Sequence, residues 1–366
     1  MMILLLKEFW SMTTTLGQGG YPEFVLKNTA LTHIPMFIYH RVDPIELERQ
    51  LAYRQRNGYH TLTADEFYNT FQKNTSDEKA VVLTFDDGLD NLYQVAYPLL
   101  CKYSFKAVAF LIPNWIGKKR MITWTQAQEM NSTGVIDFQS HSLNHSAIFT
   151  SPKIIDFYNP NQTRLPLWTL PLVQTDAVGS WIENANWGAA IYTYTSRLSD
   201  NKRYHPDVAI QKYLVSQVAE NGGKDFFKKK NWHQQLQHFV VEYKQQHPLH
   251  DKYESDDEQG TAIQEELLFS KQLIEKNLPG KRVQYFSYPW NQSGQLAEIQ
   301  LNECGYVTDF GGLQTKQTAN NESSKYYYIN RVSGDFIKRL SGKGRKLFAT
   351  ILLSKMLRRV NKGTMY

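Results

Sequence analysis

Short apolar runs rich in β-branched and aromatic residues recur along this chain, each followed by a stretch with apolar positions at helical spacing. Ile34–His40 (IPMFIYH) reads as the first strand, and residues 45–57, closed by Gly58, as the helix after it. Thr63-Ala-Asp-Glu66 has the capping-box spacing that opens a second helix. Ala80–Phe85 (AVVLTF) and Ala107–Ile112 (AVAFLI) are almost wholly apolar, the mark of strands buried on both faces of a parallel sheet. A helix over 91–103 lies between them. Thr123-Trp-Thr-Gln126 is another capping box, and Val135–Gln139 a fourth strand. The rhythm breaks from about 147 to 260, where Asn-, Pro- and Trp-rich loops accompany helices over 206–220 and 232–247. It resumes with a helix over 262–277, a strand over 283–288, a helix over 295–303, and weaker strands near 306–310 and 327–331.

Some seven strands separated by helices specify an α/β fold with a parallel sheet, either closed into a barrel or open. The break is too long for a scaffold connection and reads as an insertion, mainly helical, on the rim. The expected organisation is an N-terminal extension (1–33), a first barrel part (34–146), the insertion (147–260), a second barrel part (261–335) and a tail (336–366).

With 42% hydrophobic and 21% charged residues over 366 positions, the chain can bury a large core and is not of a disordered class. Two cysteines, Cys101 and Cys304, exclude a disulfide framework. The apolar start Met1–Leu6 is cut short by Lys7 and Glu8, unlike a signal peptide, and no apolar run is long enough to span a bilayer. A cytoplasmic place is expected. The net charge of +6 is local: residues 336–366 hold nine Lys or Arg and no Asp or Glu, leaving 32 basic against 35 acidic residues elsewhere. That distribution argues against nucleic acid as a partner of the body. Within the tail, Arg345–Val360 (RKLFATILLSKMLRRV) forms a basic amphipathic helix with one apolar stripe. It suits either docking on the barrel or another protein, or contact with the inner face of an anionic membrane.

The reactive residues gather at expected strand ends: His40, Asp86-Asp87-Gly88, His141, Pro289-Trp290 and Arg331. Carboxyl ends of parallel barrel strands share one mouth, where sites are built. Adjacent carboxylates are unfavourable unless a cation or shared proton compensates them. Asp-Asp-Gly by itself is also ordinary turn chemistry. His141-Ser-Leu-Asn-His145 supplies two imidazoles that can converge on one cation if the segment turns as a helix or tight loop, although such pairs are common on surfaces. With one carboxylate of the Asp86-Asp87 pair they make a His₂Asp set with room for water. One divalent ion is expected, Zn²⁺ first, with Co²⁺ or Ni²⁺ as alternatives.

Thr84-Phe-Asp-Asp-Gly88 and His141-Ser-Leu-Asn-His145 together resemble the first two motifs of the NodB-homology polysaccharide deacetylases, carbohydrate esterase family 4. Met36–Val42, Gly58–Phe67 and Phe286–Trp290 look like the branch that contains the poly-N-acetylglucosamine deacetylases. The resemblance covers about residues 34–146 and 262–333. It implies a distorted (β/α)₇ TIM-like barrel and removal of acetyl from an N-acetylated sugar; the membrane reading of the tail would make a lipid-linked saccharide of glycan biosynthesis the substrate. It also implies Asp87, His141 and His145 as metal ligands, Asp86 as general base, and the Trp290 backbone N–H at the oxyanion. The chain departs from the pattern at three points. Ser287 stands where the third motif has Arg, Ser146 where the second ends in Pro, and no histidine follows His250 to match the late general acid. His40 is the first candidate for that acid, with His205, His233 and His238 of the insertion second; a structural role for His40 is equally open. Arg331 is a candidate for the missing arginine or for binding an acidic group of the substrate. Two other readings stay open: a barrel that has lost turnover and binds glycan, and a deformylase of a related amide.

Overall fold

The computed structural model describes residues 21–29, 31, 33–73, 77–160, 186–311 and 331–362, with side chains to 355. The apolar start Met1–Leu6, Trp168, Trp181, residues 327–330 and the side chains of Met356, Leu357 and Val360 lie outside the described residues. The chain forms two compact units. One comprises Met1–Leu143, Glu266–Asn291 and Leu301–Tyr366; the other comprises Asn144–Glu265 and Gln292–Gln300.

A short α1 (Glu23–Leu26) precedes β1 (Met36–Tyr39). Asp43 accepts a hydrogen bond from the Glu46 amide and Pro44 occupies the first turn, which starts α2 (Pro44–Arg56). After β2 (His60–Thr61), Thr63 and Glu66 close the expected capping box of α3 (Ala64–Gln72). β3 (Ala80–Asp87) leads into a π-helical turn, Leu92–Ala96, that continues as α4 (Tyr97–Tyr103). β4 (Ala107–Leu111), α5 (Trp124–Ser132, with its Thr123–Gln126 box) and β5 (Ile136–Ser140) follow. The insertion brings β6 (Ala147–Phe157), β7 (Ala190–Ser196), β8 (Tyr204–His205), α6 (Val208–Glu220), α7 (Trp232–Gln246), β9 (Lys252–Tyr253) and α8 (Asp256–Asn277). Then come β10 (Tyr285–Phe286), α9 (Gln295–Glu303), β11 (Thr308–Asp309), β12 (Arg331–Ser333) and α10 (Phe348–Lys362).

In the first unit seven strands run in the order β11-β10-β5-β4-β3-β1-β12, and β2 pairs beside β3. Every pairing is parallel, and β4 and β5 are buried at every position, β4 as its apolar run requires and β5 with Asp137, Gln139 and Ser140 among its buried residues. The Arg331 amide donates to the Gly311 carbonyl at 3.1 Å, linking the start of β12 to the segment after β11. The two ends of the sheet are thereby drawn together, and the fold is the distorted (β/α)₇ barrel expected. Met36, Val82, Val108, Phe110, Tyr285 and Phe310 pack with Phe67 of α3 as one core cluster.

In the second unit, short strands accompany α6 and α7, the two helices read from the sequence. β6 and β7 form an antiparallel ribbon with two register irregularities, and β8 pairs with β9. Pro152 within β6 speaks against a central strand, but a two-stranded ribbon is all edge and accommodates it. The acidic stretch near residues 254–258 is also not a solvated loop. Glu254 is buried in a two-point pair with Arg197, whereas Asp256, Asp257 and Glu258 occupy the first turn of α8, where the helix dipole favours negative charge.

The tail begins by docking on the barrel unit. Phe348 stacks on Phe336 at 5.8 Å and meets Tyr21 edge-on at 5.7 Å, and Ile351 is buried. Arg345 donates to the Lys27 carbonyl at 2.6 Å. Leu347 and Leu353 remain exposed, at 72% and 58%. No helix among the described residues is long and apolar enough to cross a membrane.

Candidate metal and catalytic centre

Asp86 and Asp87 are the last two residues of β3. The chain turns sharply there, with φ of 75° at Asp87 and 80° at Gly88. A side chain at Gly88 would be strained by that φ and would also meet Leu111 Cδ2 at 2.8 Å. His141 follows β5, its amide held by the Leu111 carbonyl at 2.8 Å. Its Nδ1 lies 2.6 Å from the Ser287 carbonyl oxygen. A carbonyl only accepts, so Nδ1 carries the proton and Nε2 presents a lone pair. That Nε2 is 3.6 Å from Asp87 Oδ1 and 3.8 Å from Asp86 Oδ2. The segment to His145 is a tight loop and not a helix. Ser142 and His145 are left-handed, with φ of 66° and 53°, and the Leu143 amide is pinned to the Glu266 carbonyl at 3.0 Å. One ligand atom each from Asp87, His141 and His145 falls within 4.8 Å of the others, so these residues could hold a metal ion.

Burial pushes the Asp86 carboxyl up, but Arg331, His141 and His40 outweigh it and hold it down at about 2. Asp86 is therefore ionised at any physiological pH. Asp87 is raised above its ordinary value, first by burial and further by the Asp86 charge, against the pull of His40 and His141. Burial lowers His141 despite the neighbouring carboxylates, which keeps its imidazole neutral, the form that binds metals.

Arg331 grips Asp86 with both terminal nitrogens, at 2.6 Å to Oδ1 and 2.9 Å to Oδ2. Its other bonds go to Ser287 Oγ (2.6 Å), Thr84 Oγ1 (3.2 Å) and the Gly311 carbonyl (3.2 Å), and its guanidinium lies over the Phe110 ring. The sequence reading placed Arg331 at the end of the last strand. Among the described residues it instead opens β12, in register with Met36, and its length carries the charge up inside the barrel past Thr84. Ser287 escaped notice as more than a departure. It is a hub: its carbonyl orients His141, its hydroxyl accepts from Arg331, and its amide donates to the Ser140 carbonyl at 2.9 Å. No local pattern signals that role.

His40 lies one residue past β1 and acts electrostatically on both Asp86 and Asp87. Trp290 sits in the turn Pro289–Asn291 after β10, in a left-handed conformation with φ 52°. His205, His233 and His238 belong to the second unit. His205 is on β8, His233 on α7 against Phe157, and His238 exposed on α7.

A curled parallel barrel with a paired-carboxylate strand end and a two-histidine loop is a (β/α) barrel of the NodB type in fold. Residues 73–165 match the family model described as polysaccharide deacetylase. A Bacillus subtilis (strain 168) protein, YxkH, named provisionally as a polysaccharide deacetylase, is 38% identical over 130 residues, 33% of this chain and 46% of that protein. The poly-β-1,6-N-acetyl-D-glucosamine N-deacetylase of Staphylococcus epidermidis is 32% identical over 102 residues, 26% of this chain and 35% of that one. The matches thus span less than half the length of these curated relatives. In fold, the chain is similar to a de-N-acetylase from Aggregatibacter actinomycetemcomitans, with a TM-score of 0.51 at 17% identity over 85% of this chain and 97% of that one. The BpsB deacetylase domain of Bordetella bronchiseptica gives a TM-score of 0.50 at 15% identity, over 83% and 96%.

Proposed function

We propose that this chain is a metal-dependent hydrolase that removes acetyl from an N-acetylated sugar. The observation that carries the reading is the buried Arg331–Asp86 pair beside the Asp87–His141–His145 cluster. One carboxylate and two imidazoles, one of them neutral and oriented by a carbonyl, fit a tetrahedral ion with a fourth position open. Zn²⁺ suits this donor set best, with Co²⁺ and Ni²⁺ behind it. When bound, such an ion supplies Lewis-acid polarisation of the amide carbonyl and acidifies water.

Asp86 takes the proton of the attacking water. Arg331 engages one lone pair on each of its oxygens, and a carboxylate has further lone pairs to offer. The Trp290 backbone N–H is assigned to the developing oxyanion, and His40 to protonation of the leaving amine. The name of the staphylococcal relative supports an N-acetylglucosamine polymer as substrate class; a lipid-linked precursor would follow from membrane contact of the tail. The basic helix of the tail supports contact with an anionic membrane.

Metal content of wild type and Asp86→Asn, paired with acetate and formate release from N-acylated sugars, tests the reading. Metal in both with acetate from wild type only is expected; no metal in either removes it, and formate alone makes the chain a deformylase. A turnover-deficient glycan-binding barrel is the second reading. The paired Asp86 stands against it, since binding alone needs no base beside the ligands.

A further inference from the structure

We infer that Asp90 and Asn91 are positioning residues, locking the loop that carries His40 onto the loop that carries Asp87. The inference rests on the hydrolase reading and adds to it the device that sets the distance between the proposed acid and the metal site.

β1 and β3 are sheet neighbours, so the segments that leave them, His40-Arg41-Val42 and Gly88–Asn91, emerge side by side. Two bonds cross between them. Arg41 Nη2 meets Asp90 Oδ1 at 2.5 Å, and the Val42 amide donates to Asn91 Oδ1 at 2.6 Å. Asn91 is buried, which makes its oxygen a fixed acceptor. The second loop is held from its other side as well. The Ile122 amide donates to the Gly88 carbonyl at 3.0 Å and the Asp90 amide to the Arg120 carbonyl at 2.9 Å.

The bonds therefore hold the segment that immediately follows a backbone feature in need of support. Asp87 is a non-glycine residue in the left-handed region, a conformation that persists only where the surroundings over-determine it. Asn91 also immediately precedes the π-helical turn, an irregularity that tends to mark functional sites. Neither Asp90 nor Asn91 is among the proposed ligands, base or acid. Their bonds reach the site only through Arg41 and Val42 on one side and the Gly88 turn on the other.

The experiment uses the full chain and reads Zn²⁺ affinity by chelator competition, kcat and KM on N-acetylglucosamine oligomers, and melting temperature. Asn91→Leu removes the acceptor at similar volume, whereas Asn91→Asp keeps it. Arg41→Asp and Asp90→Arg break the ion pair singly and restore it together. The expected result is a 10–100-fold loss of metal affinity or kcat in Asn91→Leu and in each single charge reversal, the scale typical of outer-shell partners. KM should stay within about twofold, and Asn91→Asp and the double reversal should recover most of the loss. Wild-type affinity and kcat in Asn91→Leu would overturn the lock, as would a loss that follows melting temperature and is not rescued. A raised KM with unchanged kcat and metal affinity would make these residues a substrate lip and also overturn it. Absence of metal and turnover in wild type itself would remove the hydrolase reading, an outcome distinct from all of these.

Discussion

Arg331 and Asp86 stand 245 residues apart in sequence and meet as a two-point pair, both side chains 1–2% exposed. Under the proposed hydrolase reading, the pair would stand in for the arginine that opens the third motif of the family this chain resembles. The arginine comes from β12, and Ser287, just past the end of β10, gives it an acceptor. Arg331→Met leaves a buried carboxylate without its cation, and such losses cost about 3–5 kcal/mol. A corresponding fall in stability by urea denaturation is expected, with kcat down ~10²-fold or more. Arg331→Lys keeps the charge and loses the planar two-point geometry, so stability should recover more than activity.

Ser287 Oγ is 2.6 Å from Arg331 Nη2, close enough to ask whether the arginine can be moved back. The double variant Ser287→Arg, Arg331→Ser should show more activity than Arg331→Ser alone when acetate release is compared. Equal activity would mean that the approach from β12 matters as much as the charge.

Asp86→Asn should keep the bound metal, because Asp86 is outside the Asp87–His141–His145 set. Turnover should fall by ~10²–10⁴-fold, the usual contribution of a general base. Some loss of stability will accompany it, since Arg331 then faces a neutral partner. Metal analysis and acetate release on one preparation separate these effects, and retained turnover would remove Asp86 as base.

His145→Ala and His141→Ala should each lose metal on dialysis, and the expected melting temperatures differ. His141 is anchored to Ser287 and its removal leaves a hole between β5 and β10. Added Zn²⁺ should raise the melting temperature of wild type and of neither variant.

Removal of the tail must begin after Lys355. Arg345, Phe348 and Ile351 hold α1 and the barrel, so a deletion from Arg345 would damage the fold along with any membrane contact. Truncation after Lys355 should reduce sedimentation with anionic vesicles and spare activity on soluble substrate. Unchanged sedimentation would discard the membrane contact.

The strands, both capping boxes and the clustering of Asp86, Asp87, His141 and His145 were legible because each rests on local pattern: apolar runs, a Thr three residues before Glu or Gln, short motifs at strand ends. What escaped was set by distant partners. Arg331 could be named only as a candidate, since nothing near it points to Asp86. Ser287 acts through its carbonyl and hydroxyl upon residues of other elements. Glu254 looks solvated within an acidic run until Arg197 is seen beside it. The β6–β7 ribbon carries no clean alternation because its pairing slips twice.

One residue both draws the sheet's two ends together and steadies the proposed base, and this couples assembly to chemistry. Until β12 arrives, Asp86 and Asp87 sit side by side with no guanidinium between sheet ends to offset them. A partly folded or prematurely terminated chain would thus possess the proposed metal ligands while the proposed base lacked its cation. Turnover then reports a finished barrel, and the last scaffold strand to be synthesised acts as the arming step.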